Sequence, residues 1–320
     1  MSEAILTKDS DVIDVTTPAA GFASGQVIQL SDGRAAFVLG LTAKASGEPA
    51  ALKTRGQVTI AKASGVVILK GGKVFWDRSA NTATPLQVAA GADFFVGSAV
   101  DDAAATDATV VVDLNVAPAY LVDLHQDAFD TVVVLTAGAP SLSMRGGQAY
   151  AAFDTTNEAQ KLDLLSVKSV PVTIPMIFEA IFRVQTACDA DVGDLSVGLA
   201  NGTHASDADA ITESAFFHQD SGADLNLDVE SDDGTNEVAA TDTTVDIVAG
   251  TDVEVWIDAR VLTDLKYYVN GVRVNAATTF SIGAATGPLK ALFHFEKSAN
   301  DSPGQARVSH MAIRTTDMMS

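Results

Sequence analysis

Lys266-Tyr267-Tyr268-Val269-Asn270-Gly271-Val272-Arg273-Val274 is the stretch on which the fold turns. Its arms are β-branched and aromatic, which suits a pleated sheet, and the Asn-Gly between them accepts the positive φ angles of a type I′ turn. A β-hairpin follows. Working upstream, Val253, Val255 and Ile257 alternate with Asp252, Glu254, Trp256 and Asp258, and earlier still Phe178, Ala180, Phe182 and Val184 alternate with Ile177, Glu179, Ile181 and Arg183. A period of two marks strands that bury one face. From about residue 166 to the end at 320 the chain therefore predicts a domain of long antiparallel strands.

The order of those strands carries a resemblance. A strand ending in Trp256-Ile257-Asp258, the Tyr268-Val269-Asn270-Gly271-Val272 hairpin, the strand Phe293-His294-Phe295-Glu296-Lys297 and the closing strand Val308-Ser309-His310-Met311-Ala312-Ile313-Arg314 together resemble the concanavalin-like or laminin-G-like jelly roll. The resemblance implies a sandwich and leaves the ligand open, because lectins, glycanases, adhesins and plain spacers share this fold.

The rest of the chain is also all-β in character. Between Gly25 and Leu114 short apolar runs are punctuated by Ser31-Asp32-Gly33, Ser46-Gly47-Glu48-Pro49, Gly71-Gly72 and Asp101-Asp102, a spacing typical of small barrels and sandwiches. Residues 1–20 read as an extended arm, either a frayed terminus or a strand given to a neighbour. Residues 116–165 read as a linker with at least one strand, Thr131-Val132-Val133-Val134-Leu135, buried by composition and equally suited to open the second domain.

Within residues 21–115, the succession Gly25-Gln26-Val27-Ile28-Gln29-Leu30, Ser31-Asp32-Gly33-Arg34-Ala35, Ala61-Lys62-Ala63-Ser64-Gly65, Gly71-Gly72-Lys73-Val74-Phe75-Trp76-Asp77, Phe94-Phe95-Val96-Gly97-Ser98-Ala99 and Ala108-Thr109-Val110-Val111-Val112-Asp113-Leu114 resembles the capsid cement, or head decoration, proteins of tailed phages. This resemblance implies a small β-barrel, a homotrimer on the outer surface of the virion capsid, and the major capsid protein as partner. The jelly roll would project outward and meet glycans. A virion-attached carbohydrate-binding adhesin is the alternative.

Composition bounds these readings. Of 320 residues, 47% are hydrophobic and 19% charged, enough apolar material for packed cores and too little charge for a disordered chain. The formal net charge of -21 opposes contact with nucleic acid phosphates. The same charge suits a protein displayed in many copies, and equally an ordinary acidic, solvated surface. The single Cys188 excludes an intrachain disulfide. The first residues lack the basic and apolar regions of a secretory signal, and no run approaches the roughly 18 apolar residues of a membrane helix, so assembly in a host cytoplasm is expected.

Glu230-Ser231-Asp232-Asp233-Gly234-Thr235-Asn236-Glu237 is the nearest approach to a glycanase carboxylate pair, but it lacks the third acid in place, and Asp-Asp-Gly is turn chemistry. With Asp228 the same segment suggests a calcium loop whose glycine falls one position late. Asp189, Asp191 and Asp194, and likewise Asp207 and Asp209, read as solvated acidic loops. His125, His204, His218, His294 and His310 share no metal-ligand spacing, and His294 and His310 are placed on strands expected to be adjacent. Cys188 has no basic neighbour to activate it. Trp76, Tyr120, Trp256, Tyr267 and Tyr268 are the candidate sugar-stacking or interface rings, with Trp76 assigned to the core and one of Tyr267 and Tyr268 expected buried and the other exposed, so that at most one can meet a ligand. The sequence thus predicts a non-enzymatic protein with no catalytic, cofactor-binding or metal-binding residues.

Overall fold

The computed structural model describes residues 11–87, 91–134, 140–186, 194–205, 207–219, 226–301 and 303–316. Among the described residues there is no helix, so none is long and apolar enough to cross a membrane. The chain divides into two compact units, Met1–Ala119 and Tyr120–Ser320.

Among the described residues the first unit holds nine strands: β1 Val12–Thr16, β2 Val27–Gln29, β3 Ala35–Leu39, β4 Pro49–Lys53, β5 Gln57–Ala61, β6 Lys73–Asp77, β7 Thr82–Thr84, β8 Phe94–Ala99 and β9 Thr109–Leu114. They form a four-stranded sheet in the order β1-β4-β3-β2 and a five-stranded sheet in the order β5-β9-β8-β6-β7. In β5 the burial strictly alternates, with Val58 and Ile60 inside, and the neighbouring strands add Val74, Trp76, Val96, Val110 and Val112 to the same core.

This arrangement modifies the expected barrel. The five-stranded sheet brings β5 and β7 together at one parallel bridge, Lys62 to Ala83, and one hydrogen bond, Ala63 N to Ala83 O at 2.9 Å. No further ladder joins them among the described residues, so the sheet is not a closed barrel. Asn115, at φ 60°, ties the two sheets: its Oδ1 accepts from Ala35 N at 2.8 Å, and its Nδ2 donates to Ala35 O at 2.9 Å and to Thr54 O at 2.8 Å. The described part of the expected N-terminal arm is also integral, since β1 pairs with β4 from Val12 opposite Lys53 to Thr16 opposite Pro49. Residues 1–10 lie outside the described residues.

The described residues of the second unit form fifteen strands: β10 Val122–Asp123, β11 Phe129–Val134, β12 Ser141–Arg145, β13 Gln148–Ala152, β14 Glu158–Ser166, β15 Met176–Thr186, β16 Asp194–Ala200, β17 Ser214–Gln219, β18 Asn226–Asp232, β19 Glu237–Asp246, β20 Val253–Ala259, β21 Lys266–Val269, β22 Val272–Val274, β23 Lys290–Asn300 and β24 Gln305–Thr315. One sheet has eight strands, in the order β12-β13-β24-β15-β20-β21-β22 with β10 also on β24; the other has seven, in the order β11-β14-β23-β16-β17-β18-β19. All pairings are antiparallel, and the chain crosses repeatedly from one sheet to the other. This is the jelly-roll sandwich expected.

The two sheets share one core, where Phe178, Phe182, Val255, Ile257 and Met311 of the first meet Leu164, Val197, Phe217, Phe293 and Phe295 of the second. Full burial of such a side chain contributes about 1.5–3 kcal/mol. The face assigned to Phe178, Ala180, Phe182 and Val184 is the core face. The hairpin is as expected, with Asn270 at φ 49° and Gly271 at φ 78°. Gly198 on β16 is required by a close approach: a Cβ there would lie 2.1 Å from the Ala215 carbonyl oxygen.

Three expectations change. Residues 116–165 carry β10 to β14 up to Leu165, and from Tyr120 onward they belong to the second unit. The strand expected to be buried there is an edge of the seven-stranded sheet, with Val132 exposed; Leu135 lies outside the described residues. His294 on β23 and His310 on β24 are in different sheets, because the connection between these strands crosses the sandwich instead of closing a hairpin.

Candidate functional site

Each strand of the seven-stranded sheet turns alternate residues away from the core, and register then decides which of them meet. Asp163 on β14 stands opposite His294 on β23, His294 opposite Ser196 on β16, Ser196 opposite His218 on β17, and His218 opposite Asp228 on β18. One step along, Asp194 stands opposite Glu296. Five strands thus present a row of histidines and carboxylates on the face opposite the core.

The segment 201–213 adds to this row. Ala208 and Ile211 pack with Leu165, Ala200, Phe216 and Leu292, while the Glu213 carboxylate accepts from Thr286 N at 2.8 Å and Gly287 N at 3.0 Å. Asp207 and Asp209 are thereby held beside the histidines. Solvated acidic loops were expected at Asp207, Asp209 and Asp194; Asp209 keeps an exposed side chain, whereas Asp194 is half-buried at the start of β16 and Asp207 is drawn inward by a hydrophobic plug beneath the loop, invisible as periodicity. Asp189, Asp191 and Cys188 lie outside the described residues.

Both histidines sit between acids. His294, 1% exposed, has Nδ1 2.6 Å from Asp163 Oδ1, and its Nε2 lies 3.4 Å from Glu296 Oε2 and 4.0 Å from Asp194 Oδ2. His218 has Nε2 2.8 Å from Asp194 Oδ1, with Nδ1 3.2 Å from Asp209 Oδ1 and 3.7 Å from Glu230 Oε2. Burial alone would lower both imidazole pKa values. Hydrogen bonding to Asp194 and Glu230 outweighs it for His218, raised to about 12, and the hydrogen bond to Asp163 together with the facing Glu296 and Asp194 carboxylates does so for His294, raised to about 9.

The acids respond to the same crowding. Burial raises the pKa of Asp194, and burial with the neighbouring carboxylates raises Asp209 to about 7 despite His218. Asp207 is also penalised by burial, but its hydrogen bond with Asp194 leaves it lowered. Asp194, Asp207, His294 and Glu296 bring one ligand atom each within 4.8 Å of one another, as do Asp194, Asp209 and His218. The donor set can hold a cation. A glycanase pair open to a sugar is a different arrangement, since these carboxylates are engaged by histidines and partly covered.

A second cluster lies on the eight-stranded sheet. Glu179 on β15 accepts from His310 Nε2 at 2.9 Å and Arg314 Nε at 3.1 Å, both on β24. Asp123, His125 and His310 also bring ligand atoms within 4.8 Å. Asp123 is spent on its own turn, however, accepting from His125 N at 2.9 Å and Gln126 Nε2 at 2.9 Å.

The remaining sequence candidates have structural roles. Glu230 joins the histidine row, whereas Asp232 and Asp233 cap the β18–β19 turn: Asp232 Oδ1 accepts from Gly234 N at 2.7 Å, and Asp233 Oδ1 from Asn236 N at 2.7 Å. Trp76 is buried in the first unit's core. Trp256, Tyr267 and Tyr268 are all buried, so the expected exposed tyrosine of the pair is absent and neither is available for stacking on a sugar.

Comparisons with known proteins bear on the two units differently. Residues 7–114 match the family model described as phage cement protein, a span that runs to the last residue of β9. No curated protein matches the chain. Among solved structures, the carbohydrate recognition domain of Emp47p is similar over 60% of this chain and 93% of its own, at 14% identity and a TM-score of 0.42. The carbohydrate binding module CBM66 from Bacillus subtilis covers 58% of this chain and 95% of its own at 11% identity and a TM-score of 0.37. A Bacteroides ovatus GH16 protein in complex with a glucan product covers 61% and 100% at 8% identity and a TM-score of 0.42. Likeness this loose says nothing about what the chain binds.

Proposed function

We propose that the chain is a head decoration protein of a bacteriophage, attached through its first unit to the outer capsid surface as a homotrimer and stabilising the shell of major capsid protein. The observation that carries this reading is the match of residues 7–114 to the phage cement model, which covers the first unit's strands from β1 to β9. The mechanism is mass action: a protein that binds the assembled shell and not its separated subunits stabilises the shell by the free energy of binding. No covalent chemistry is needed. The second unit is carried on the outside of the particle, where the net charge of -21 limits particle-to-particle adhesion.

Undecorated shells mixed with the full-length protein test the reading. The bare shells are expected to take up the protein in a saturable manner and, once decorated, to survive heating at temperatures that burst undecorated ones. Uptake without a change in robustness would support attachment alone, as an adhesin requires, and would overturn the cementing role.

A further inference from the structure

We propose that the outward face of the seven-stranded sheet binds one first-row divalent cation, ligated by Asp194, Asp207, His294 and Glu296. The inference is independent of any role on a virion.

Three features of the site point to an ion. The first is the state of His294. Its Nδ1 is held by Asp163 at 2.6 Å, which fixes the ring and leaves Nε2 facing Glu296 and Asp194. Nε2 is buried, and neither Glu296 Oε2 at 3.4 Å nor Asp194 Oδ2 at 4.0 Å meets it with hydrogen-bond geometry. A histidine whose far nitrogen is fixed by a carboxylate while the near one faces further carboxylates is the arrangement seen around bound metals. The second feature is the state of Asp194: His218 holds its Oδ1 at 2.8 Å, so Oδ2 is the oxygen turned toward His294. The third is convergence. One ligand atom each from Asp194, Asp207, His294 and Glu296 lies within 4.8 Å of the others, a spacing that a single ion can bridge.

The backbone supports the same conclusion. Asp194 and Glu296 are cross-strand partners, and the loop that supplies Asp207 is pinned by Ala208 and Ile211. The four ligands come from two paired strands and one anchored loop, so an ion would join loop to sheet. One imidazole with three carboxylates suits Mn2+ or Zn2+ better than Ca2+, which takes six to eight oxygens. The histidines lack metal-ligand spacing in sequence because the strand register, not the spacing, assembles the set.

The test uses the full-length protein stripped with a chelator and titrated with MnCl2 and, separately, ZnCl2 by calorimetry, with electron paramagnetic resonance of the Mn2+ form. One ion per chain is expected. Asp207→Asn and Glu296→Gln should each weaken binding at least about tenfold, whereas Asp123→Asn in the other cluster should not. Asp207→Asn sits on the loop, and its unfolding transition measured without metal should match that of the stripped parent, which keeps the result interpretable if His294 variants fail to fold. Failure of both ions to bind at millimolar concentration, or binding equally strong to Asp207→Asn and Glu296→Gln, would overturn the assignment.

Discussion

His294 donates from Nδ1 to Asp163 Oδ1 across 2.6 Å, between strands β23 and β14, with both side chains only 1% exposed. Removing one member of a buried charged pair leaves the other uncompensated, at a cost of about 3–5 kcal/mol. Asp163→Ala is therefore expected to destabilise the second unit by about that amount in urea unfolding. Adding His294→Leu should restore part of the loss, since the pair is then removed together. A loss below about 1 kcal/mol for Asp163→Ala would place this pair among weak surface contacts and contradict its role in fixing the histidine.

Glu179 contributes to the acid response of the second unit. Burial pushes its pKa up, but the hydrogen bond from His310 and the charge of Arg314 hold it well below its ordinary 4.5. A depressed folded-state pKa means that the unfolded chain binds more protons in acid, so this contribution is complete above about 4.5 and is lost as pH falls below it. Thermal unfolding followed across pH should show the second unit losing stability below that value, and Glu179→Gln, less stable throughout, should show a shallower decline. An equal slope in parent and variant would assign the acid response elsewhere.

Asn115 joins the two sheets of the first unit through three hydrogen bonds to Ala35 and Thr54. Asn115→Ala forfeits them, at roughly 0.5–1.5 kcal/mol each, and places alanine at a positive φ, costing about 1–2 kcal/mol more. Unfolding of the first unit should move to lower denaturant while that of the second stays in place. A variant with an unshifted first transition would show that core packing alone holds the sheets.

The close approach at Gly198 makes a complementary prediction for the seven-stranded sheet. Gly198→Ala sets a methyl group against the Ala215 carbonyl, and displacing backbone in this way costs about 1–3 kcal/mol. Chemical denaturation should register the loss in the second unit. A neutral substitution would mean that β16 and β17 separate more readily than their pairing implies.

Period-two alternation located the core face of β15 and the strand β20, and Asn270-Gly271 fixed the hairpin, because these are local signals that one strand or turn carries by itself. The charged row was not legible in the same way. Asp163, Asp194, His218 and His294 are far apart in sequence, and they meet only through a register that neighbouring strands set together. Asp207 and Asp209 were hidden for another reason, since what holds them is the packing of Ala208 and Ile211 under a loop with no periodicity. His294-Phe295-Glu296 was the available clue: two polar groups on one face of a strand whose other face, Phe293 and Phe295, is core. The open sheets of the first unit escaped because closure depends on whether β5 and β7 pair along their length, which their composition does not specify.

The central claim is that the first unit attaches the chain to the outside of an assembled shell. A cryo-electron map of shells decorated with the full-length protein measures this directly. Threefold density over the junctions between major capsid subunits is expected, with the nine described strands of residues 12–114 fitting its capsid-facing part. Density that instead places the second unit against the shell, or shells that emerge bare after saturation with the protein, would contradict it.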